Sequence, residues 1–407
     1  MRTLKRNPFL SGAILGGAFL MAGLVGAGPV SADVTSDRAA AIVVFPKLVL
    51  NGDDGVDTII QLSNTSENTV HVRCFYVNAN SHCSNDPSAI CNTNADCGIG
   101  GLCLPGWNET DFRFTLTPRQ PIAWRISSGL GGNCVAGVGD CFPLDGTTHV
   151  GPGGAFNEDS RIPVVPEDPF IGELKCVQVG EDEAPIDENS LKGEATIVTA
   201  DGDDSDAPDA RAYNAIGIQA VAGANDGDNT LELGTEYNGC PNILILDHFF
   251  DDAVEPIDGA SVRTDLTLVP CSQNFELQDQ ALFDTTVQFL VYNEFEQRFS
   301  ASTRVRCLRE IPLSDIDTAQ RPLSDSVASN TGDLRSIFNV NVQGTLTGQT
   351  RIRGVDDGSA DHGNGLLAVA EEFHRTDSAD LDTVRASAAF NVHQVGVRAT
   401  PDVITIP

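Results

Sequence analysis

The feature that most constrains the fold of this chain is a strict alternation of apolar and polar residues in short segments. In the segment Phe112–Thr117 the apolar side chains are separated by polar ones, and Pro118 then turns the chain. A period of two places one set of side chains on a buried face of a β-strand and the other set in water. Strands are also predicted at Val70–Cys74, Thr303–Cys307, Phe338–Val342, Ile59–Leu62 and Val287–Val291.

The same reading finds no long segment with helical periodicity. Turn residues occur along the whole length, with 39 glycines and 21 prolines. Many short strands separated by such turns are typical of an all-β protein. The sequence therefore predicts antiparallel sheets joined by loops.

Several short segments recur in the same order in the two halves of the chain. Val72–Cys74 has the same three residues as Val305–Cys307. The interval of 21 residues between positions 172 and 193 recurs between positions 365 and 386, each beginning at a predicted strand. Matched order and spacing indicate an internal duplication.

A single core is not expected in a chain of 407 residues, since cores stop growing at about 250–300 residues. We therefore predict a signal peptide at 1–32 and two tandem antiparallel β-sandwiches, at 33–259 and 260–407. The first carries cysteine-rich and acidic loop insertions. In this duplicated pattern the chain resembles secreted bacterial proteins with immunoglobulin-like β-sandwich domains.

The resemblance implies a disulfide between the two sheets of a sandwich, which we assign to Cys74 and Cys176. The second half has Val369 at the position equivalent to Cys176, so Cys307 needs another partner. The nearest upstream cysteine is Cys271. Cys134 and Cys141 could close a short loop, which leaves Cys240 as a buried thiol or an intermolecular link.

Four further cysteines, Cys83, Cys91, Cys97 and Cys103, lie close together in a segment rich in Asn, Gly, Asp and Pro. This spacing predicts a loop held by two disulfides, and three pairings are open. Zinc is the alternative ligand of such a cluster. The paired short spacings of zinc ribbons are missing here, which favours disulfides.

The N-terminus has the pattern of a secretory signal peptide. Basic residues at Arg2, Lys5 and Arg6 precede the apolar segment Phe9–Val25, and small residues at Val30–Ala32 predict cleavage after position 32. All eleven cysteines follow that point, which suits an oxidising compartment. We expect a secreted, periplasmic or cell-surface protein with no integral membrane segment after cleavage.

Acidic residues dominate the charge, with 57 Asp and Glu against 25 Lys and Arg and a formal net charge of −32. Such a chain repels phosphate backbones, so nucleic acid is excluded as a partner. Clustered carboxylates in loops suit calcium, although solvated acidic turns are the alternative. The calcium candidates are Asp201, Asp203, Asp204, Asp206, Asp226 and Asp228.

The sequence lacks the common catalytic signatures for hydrolysis, phosphate binding and dinucleotide binding. We therefore expect a non-enzymatic structural, adhesion or binding protein whose partner is a protein or a glycan. Trp107, in a loop, is the binding candidate, whereas Trp124 is expected in the core. Two alternatives stay open: an extracellular hydrolase that uses His248 with nearby carboxylates, and a self-assembling surface or filament subunit.

Overall fold

The computed structural model describes residues 34–91, 94–104, 106, 108–130, 162–200, 209–256, 259–277, 284–316, 336–355, 364–375, 384–397 and 402–407. Over these ranges the protein is all-β, and its sheets are antiparallel apart from one parallel pair. The strands of the first half are β1 (Ile42–Leu50), β2 (Val56–Asn64), β3 (Val70–Asn78), β4 (His82–Cys83), β5 (Asp86–Ile90), β6 (Cys103–Leu104), β7 (Asn108–Leu116), β8 (Pro121–Arg125), β9 (Phe170–Val179), β10 (Leu191–Thr199), β11 (Asp209–Asn214) and β12 (Ile216–Ile218).

Twelve further strands are described after residue 218. They are β13 (Thr230–Leu233), β14 (Ile243–Phe249), β15 (Ser261–Pro270), β16 (Gln273–Asn274), β17 (Asp284–Asn293), β18 (Arg298–Arg306), β19 (Arg309–Pro312), β20 (Thr347–Gly354), β21 (Leu366–Arg375), β22 (Val384–Asn391), β23 (His393–Val395) and β24 (Asp402–Thr405). A 3-10 turn at Leu313–Asp315 and the helix α1 (Val340–Gln343) complete the described elements.

Two sheets of the first half face each other across a hydrophobic core. The five-stranded sheet has the order β12-β1-β9-β3-β7, and the four-stranded sheet has the order β11-β10-β2-β8. Trp124 on β8 is fully buried there, and its indole N–H donates to the Tyr76 hydroxyl at 2.6 Å. The rings of Phe112 and Phe114 on β7 meet Trp124 edge-on. The predicted core position of Trp124 is confirmed.

A second pair of sheets encloses its own core. Its five-stranded sheet has the order β18-β17-β20-β14-β23, and its four-stranded sheet has the order β19-β15-β21-β22. Phe289 on β17 and Phe338 are both fully buried and meet edge-to-face with ring centroids 5.8 Å apart. Strand β14 precedes residue 259, the predicted end of the first domain, yet it pairs with β20 and β23.

Strands β1 and β9 of the five-stranded sheet in the first half are buried on both faces. Along β1, Val43 and Phe45 face the first core, whereas Ile42 and Val44 face a separate core. That separate core, here called the shared core, also holds residues of β13, β15, β21 and β24. The small sheet β13-β24-β16 covers it. Burial on both faces explains why β1 and β9 are almost continuously buried instead of alternating.

The internal duplication predicted from sequence does not correspond to equivalent strand pairing. The matched segments around positions 172 and 193 lie in β9 and β10, which belong to different sheets, whereas their counterparts β21 and β22 are hydrogen-bonded neighbours. Val72–Cys74 lies in β3 beside β9, but Val305 and Arg306 lie in β18 beside β17. The internal duplication therefore stays a prediction.

The predicted strand at Phe338–Val342 is wrong. Val340–Gln343 forms one helical turn, because the Asn339 side chain caps it by accepting a hydrogen bond from the Asn341 N–H. Gly344 ends the turn in the left-handed conformation, with φ of 69°. Alternation over five residues could not reveal this local capping.

Four disulfides join described cysteines. Cys74 and Cys176 are bonded, but they are directly paired residues of the neighbouring strands β3 and β9. Their Cα atoms are 4.0 Å apart. The expectation that this bond bridges two sheets is therefore wrong, because the structure places both cysteines in one sheet. The cysteine cluster is held by Cys83–Cys97 and Cys91–Cys103, one of the three open pairings.

The predicted pair of Cys271 and Cys307 is also wrong. Cys271 is bonded to Cys240, and both are fully buried in the shared core. Cys271 directly follows β15, and the segment before β14 brings Cys240 to it. Cys307 keeps a buried thiol that donates to the Gly106 carbonyl oxygen at 2.8 Å. Sequence order alone could not show that Cys240 forms a disulfide with a cysteine of the second half.

Candidate ligand-binding groove

A groove of about 760 Å³ lies between the cysteine-rich segment of the first half and two sheets of the second half. Residues 79–106 form one wall through Asn80, Ser81 and Asn94. Strands β15, β18 and β19 form the other wall. This volume lies within the usual range of small-molecule sites. The lining side chains of the second wall that carry charge are Arg263, Asp265, Arg304, Arg306, Arg309 and Glu310.

Hydrogen bonds and disulfides hold the cysteine-rich wall in place. The Asn80 side chain donates to the Glu167 carboxylate at 2.6 Å and to the Pro169 carbonyl at 2.9 Å. The Asn94 side chain accepts from the Cys103 N–H at 2.9 Å. The disulfide between Cys91 and Cys103 links the end of β5 to β6. The wall is thus preorganised although it has little apolar core of its own.

Gly106 connects this wall to the second half. A Cβ atom at this position would lie 2.0 Å from the Asn80 carbonyl oxygen, so only glycine permits the approach. The carbonyl oxygen of Gly106 accepts the hydrogen bond from the Cys307 thiol. Cys307 follows β18 directly, and β18 carries Arg304 and Arg306. The two walls are therefore joined at the end of the groove.

Buried ion pairs fix the floor on the β19 side. Lys47, which is 3% exposed, bonds to Glu310 at 2.5 Å and also to Glu371. Arg211 bonds to the other oxygen of Glu371 at 2.8 Å. Burial opposes ionisation of Glu371, but the two cations outweigh it and lower the pKa of its carboxyl. These pairs join the first half to the second and orient Glu310.

The calcium candidates divide into two groups in the structure. Asp226 and Asp228 lie in a turn where their carboxylates accept backbone N–H bonds, at 3.2 Å from Asp228 and at 2.6 Å from Thr230. Calcium binding there remains a prediction. Trp107, Cys134, Cys141, Asp201, Asp203, Asp204 and Asp206 lie outside the described residues.

Within the described ranges, one trio of His, Cys, Asp or Glu has ligand atoms within 4.8 Å of one another, namely Cys83, Cys91 and Cys97. Their sulfurs are close because two disulfides lie side by side. A disulfide sulfur is not the thiolate that zinc requires. The cluster therefore consists of two disulfides that cross-link the groove wall.

His248 is 4% exposed and has both ring nitrogens bonded. Nδ1 donates to the Phe249 carbonyl at 2.8 Å, and Nε2 accepts from the Thr350 hydroxyl at 2.8 Å. Thr350 is fully buried, so its hydroxyl cannot reach a substrate. Burial lowers the pKa of His248 to about 4. An open cavity of about 620 Å³ lies beside this histidine, yet its imidazole is already committed to internal bonds.

The carboxylates near His248 in sequence also have internal partners. Asp251 accepts from the backbone N–H groups of Thr264 at 3.0 Å and Ser314 at 2.9 Å, and burial raises its pKa to about 7. Asp252 accepts from the Asn339 side chain at 2.7 Å. Asp251 thus links the segment after β14 to β15 and to the 3-10 turn, and Asp252 links it to the residue before α1.

We expect His248 to weaken the fold in acid. The unfolded chain binds a proton at this residue with a pKa near 6.5, whereas the folded pKa is about 4. Above pH 6.5 the ring is neutral in both states, and the free energy of unfolding is at its full value. As the pH falls, the unfolded chain takes up the proton first, which lowers the free energy of unfolding by about 3 kcal/mol at pH 4. Urea unfolding at pH 7 and pH 4 measures this loss. The variant His248→Asn should lose about 3 kcal/mol less between the two pH values, and equal losses would contradict the assignment.

Sequence reasoning missed the arginines of the groove because it treated the basic residues as dispersed. The available signal was the segment 298–309, which holds four arginines and no acidic residue. None of the helices described is long and apolar enough to span a lipid bilayer. Comparison with protein-family models and with curated protein sequences finds no match to this chain.

Proposed function

We propose that this chain is an exported, non-enzymatic binding protein of the cell surface or periplasm, built from two immunoglobulin-like β-sandwiches. The groove between the cysteine-rich segment and β15, β18 and β19 is the observation that carries the proposal. Disulfide-stapled loops on rigid sheets are a common way to present a binding surface. The ligand binds between the two halves. The ion pairs of Lys47 with Glu310 and Glu371 hold the halves together.

Export is part of the proposal. It is supported by the signal-like N-terminus and by four disulfides, which persist in oxidising compartments. The two sheet pairs, each of a four-stranded and a five-stranded antiparallel sheet about one core, support the immunoglobulin-like architecture. A binding role is preferred to hydrolysis because His248 is buried and fully hydrogen-bonded.

Filling the groove tests the binding function. Ser81 lines it and is partly exposed, so Ser81→Trp should occupy the space that a ligand needs. Ser302→Trp is the matched control, because Ser302 is an exposed residue of β18 that does not line the groove. Thermal unfolding of the oxidised chain is followed with galactose, galacturonate and glutamate as probes, each at millimolar concentration.

We expect at least one probe to raise the melting temperature of the wild type and of Ser302→Trp but not of Ser81→Trp. A probe that raises all three melting temperatures equally binds elsewhere and contradicts the assignment of the site. No response to any probe in the wild type would overturn the proposal that this groove binds small polar ligands.

A further inference from the structure

Lys47 and Lys175 are both buried and both contact residues of the second half, but the groups around their amines differ. Lys47 bonds to two carboxylates, those of Glu310 and Glu371. Burial opposes the charge of Lys47, yet the two carboxylates outweigh burial and raise its pKa. Lys47 therefore stays an ammonium ion.

Lys175 has one carboxylate and one side-chain amide beside its amine. Its Nζ donates to Glu173 at 2.9 Å, to the Pro270 carbonyl at 3.4 Å and to the side-chain carbonyl oxygen of Gln273. Lys175 and Gln273 are fully buried, and so is Glu173. Burial lowers the pKa of Lys175 in spite of the nearby carboxylate. This favours the neutral amine, the form of lysine that acts as a nucleophile.

Glu173 lies between the amine and the amide. Its Oε1 atom accepts from the Nζ of Lys175 at 2.9 Å and from the Nε2 of Gln273 at 2.8 Å. One oxygen thus contacts both nitrogens that exchange places when an amine displaces the nitrogen of an amide. A carboxyl group at this position can carry protons between them.

A buried ammonium ion with three acceptors is the structural explanation of this cluster. It accounts for the hydrogen bonds of Lys175. It does not account for a site that provides a single carboxylate where Lys47 has two, since a buried charge is costly unless it is well compensated. The second oxygen of Glu173 also has no hydrogen-bond partner among the described residues. These features suit a reaction that removes both charges.

We propose that Lys175 and Gln273 form an intramolecular isopeptide bond, with Glu173 carrying the protons. The Nζ of Lys175 bonds to the Cδ of Gln273, the bond from Cδ to Nε2 breaks, and ammonia leaves. The ammonium group first gives one proton to Glu173, which passes it to Nε2. A second proton then moves from Nζ to Glu173. A secondary amide, a carboxylic acid and ammonia replace the ammonium, the carboxylate and the primary amide, so atoms and charges balance without a further reactant.

The bond joins two parts of the protein that are distant in sequence. Lys175 lies on β9 of the first half, and Gln273 lies on β16 of the small sheet that covers the shared core. They are 98 positions apart, so the link restricts the unfolded chain as a disulfide does. An amide survives reduction, whereas a disulfide does not. This inference does not depend on the proposed binding by the groove.

The first test is the intact mass of the folded full chain after complete reduction and alkylation. We expect a mass lower by one ammonia molecule than the mass calculated from the sequence. Trypsin should then fail to cut after Lys175, and residues 162–192 should be joined to residues 264–298 in one linked peptide. Normal cleavage after Lys47 is the internal control. The full calculated mass in the folded chain would overturn the proposal.

The same digest distinguishes this bond from other losses of ammonia. A succinimide at Asn51–Gly52 or Asn238–Gly239 gives the same change in mass but leaves Lys175 open to trypsin. Ammonia loss with normal cleavage after Lys175 would therefore contradict the proposal. A chain made in insoluble form and purified in denaturant should lose ammonia when it refolds in buffer alone. Loss that requires added cell extract would assign the bond to a separate enzyme.

Two variants test the roles of the residues. Glu173→Gln removes the proton carrier and Gln273→Met removes the amide, so neither should form the link. Gln61→Met is the control, because Gln61 is an exposed glutamine whose side chain donates to Glu194 at 3.5 Å. It should form the link as the wild type does. Formation of the link in Glu173→Gln at the wild-type rate would contradict the role of Glu173.

Gln273→Met also separates the bond from the ion pair that precedes it. This variant keeps Lys175 and Glu173, so it shows the contribution of their ion pair without the link. In a reducing solution the linked wild type should melt at a higher temperature than Gln273→Met, because the amide still joins β9 to β16. Equal melting temperatures with a linked wild type would show that the bond does not stabilise the shared core.

Discussion

Replacing Lys175 by methionine should lower the free energy of unfolding by about 3–5 kcal/mol, because the change leaves a buried carboxylate without its cation. Lys175 and Glu173 both point from β9 toward the second half and are bonded at 2.9 Å. Glu173 is 1% exposed, and among the described residues its second carboxylate oxygen has no hydrogen-bond partner. Without Lys175, the donor left to it in this part of the chain is the Gln273 side chain at 2.8 Å.

The double variant Glu173→Gln with Lys175→Met is the matched control. It removes both charges, so it should be more stable than Lys175→Met alone, since no charge stays buried. Urea unfolding of the wild type, both single variants and the double variant gives the interaction energy of the pair. Additive effects of the two substitutions would show that the pair contributes nothing to stability. Burial lowers the pKa of Lys175 despite the nearby carboxylate, so the comparison is made near pH 7.

Truncating Phe275 to alanine should destabilise the protein by about 3–5 kcal/mol and should also separate the unfolding of its two halves. Phe275 stacks on Phe75 in the shared core, with ring centroids 4.2 Å apart and planes 9° from parallel. Phe75 belongs to β3 of the first sheet pair, whereas Phe275 follows β16. This contact lies between the sheet pairs. Its loss therefore reduces the cooperativity of their unfolding as well as the free energy of unfolding.

Scanning calorimetry distinguishes the two effects. The wild type should unfold in one transition, and Phe275→Ala should show two. Phe289→Ala is the control, because Phe289 is fully buried in the second sheet pair's own core, away from the shared core. It should lower the melting temperature while the halves continue to unfold together. A single transition in Phe275→Ala would mean that other contacts are sufficient to couple the sheet pairs.

The fold class could be predicted from sequence because alternation is a local signal. The segment Phe112–Thr117 matches β7, where the phenylalanines are buried and Arg113 is exposed. The shared core could not be predicted in this way. Residues such as Phe75 and Val77 on β3 are buried because a second sheet pair lies against them, and that contact joins strands distant in sequence.

Pairing of the cysteines shows the same limit. The four cysteines at positions 83–103 are close in sequence, so each had few possible partners. The partner of Cys240 instead depends on how the two halves pack together. The groove could not be predicted for the same reason. The arginines on β18 are exposed, and the sequence does not show that they line a groove together with β15 and the cysteine-rich wall. A search for charge runs opposite to the net charge would have marked 298–309 as unusual.

The small sheet that covers the shared core has a consequence for the order of folding during synthesis. Its central strand, β24, pairs with β13 and β16, and Ile404 and Ile406 are buried beneath it. Strands β13, β15 and β21, which also contribute to this core, are synthesised before residues 402–406. The cover of the shared core is therefore completed only after most of both sheet pairs has been synthesised.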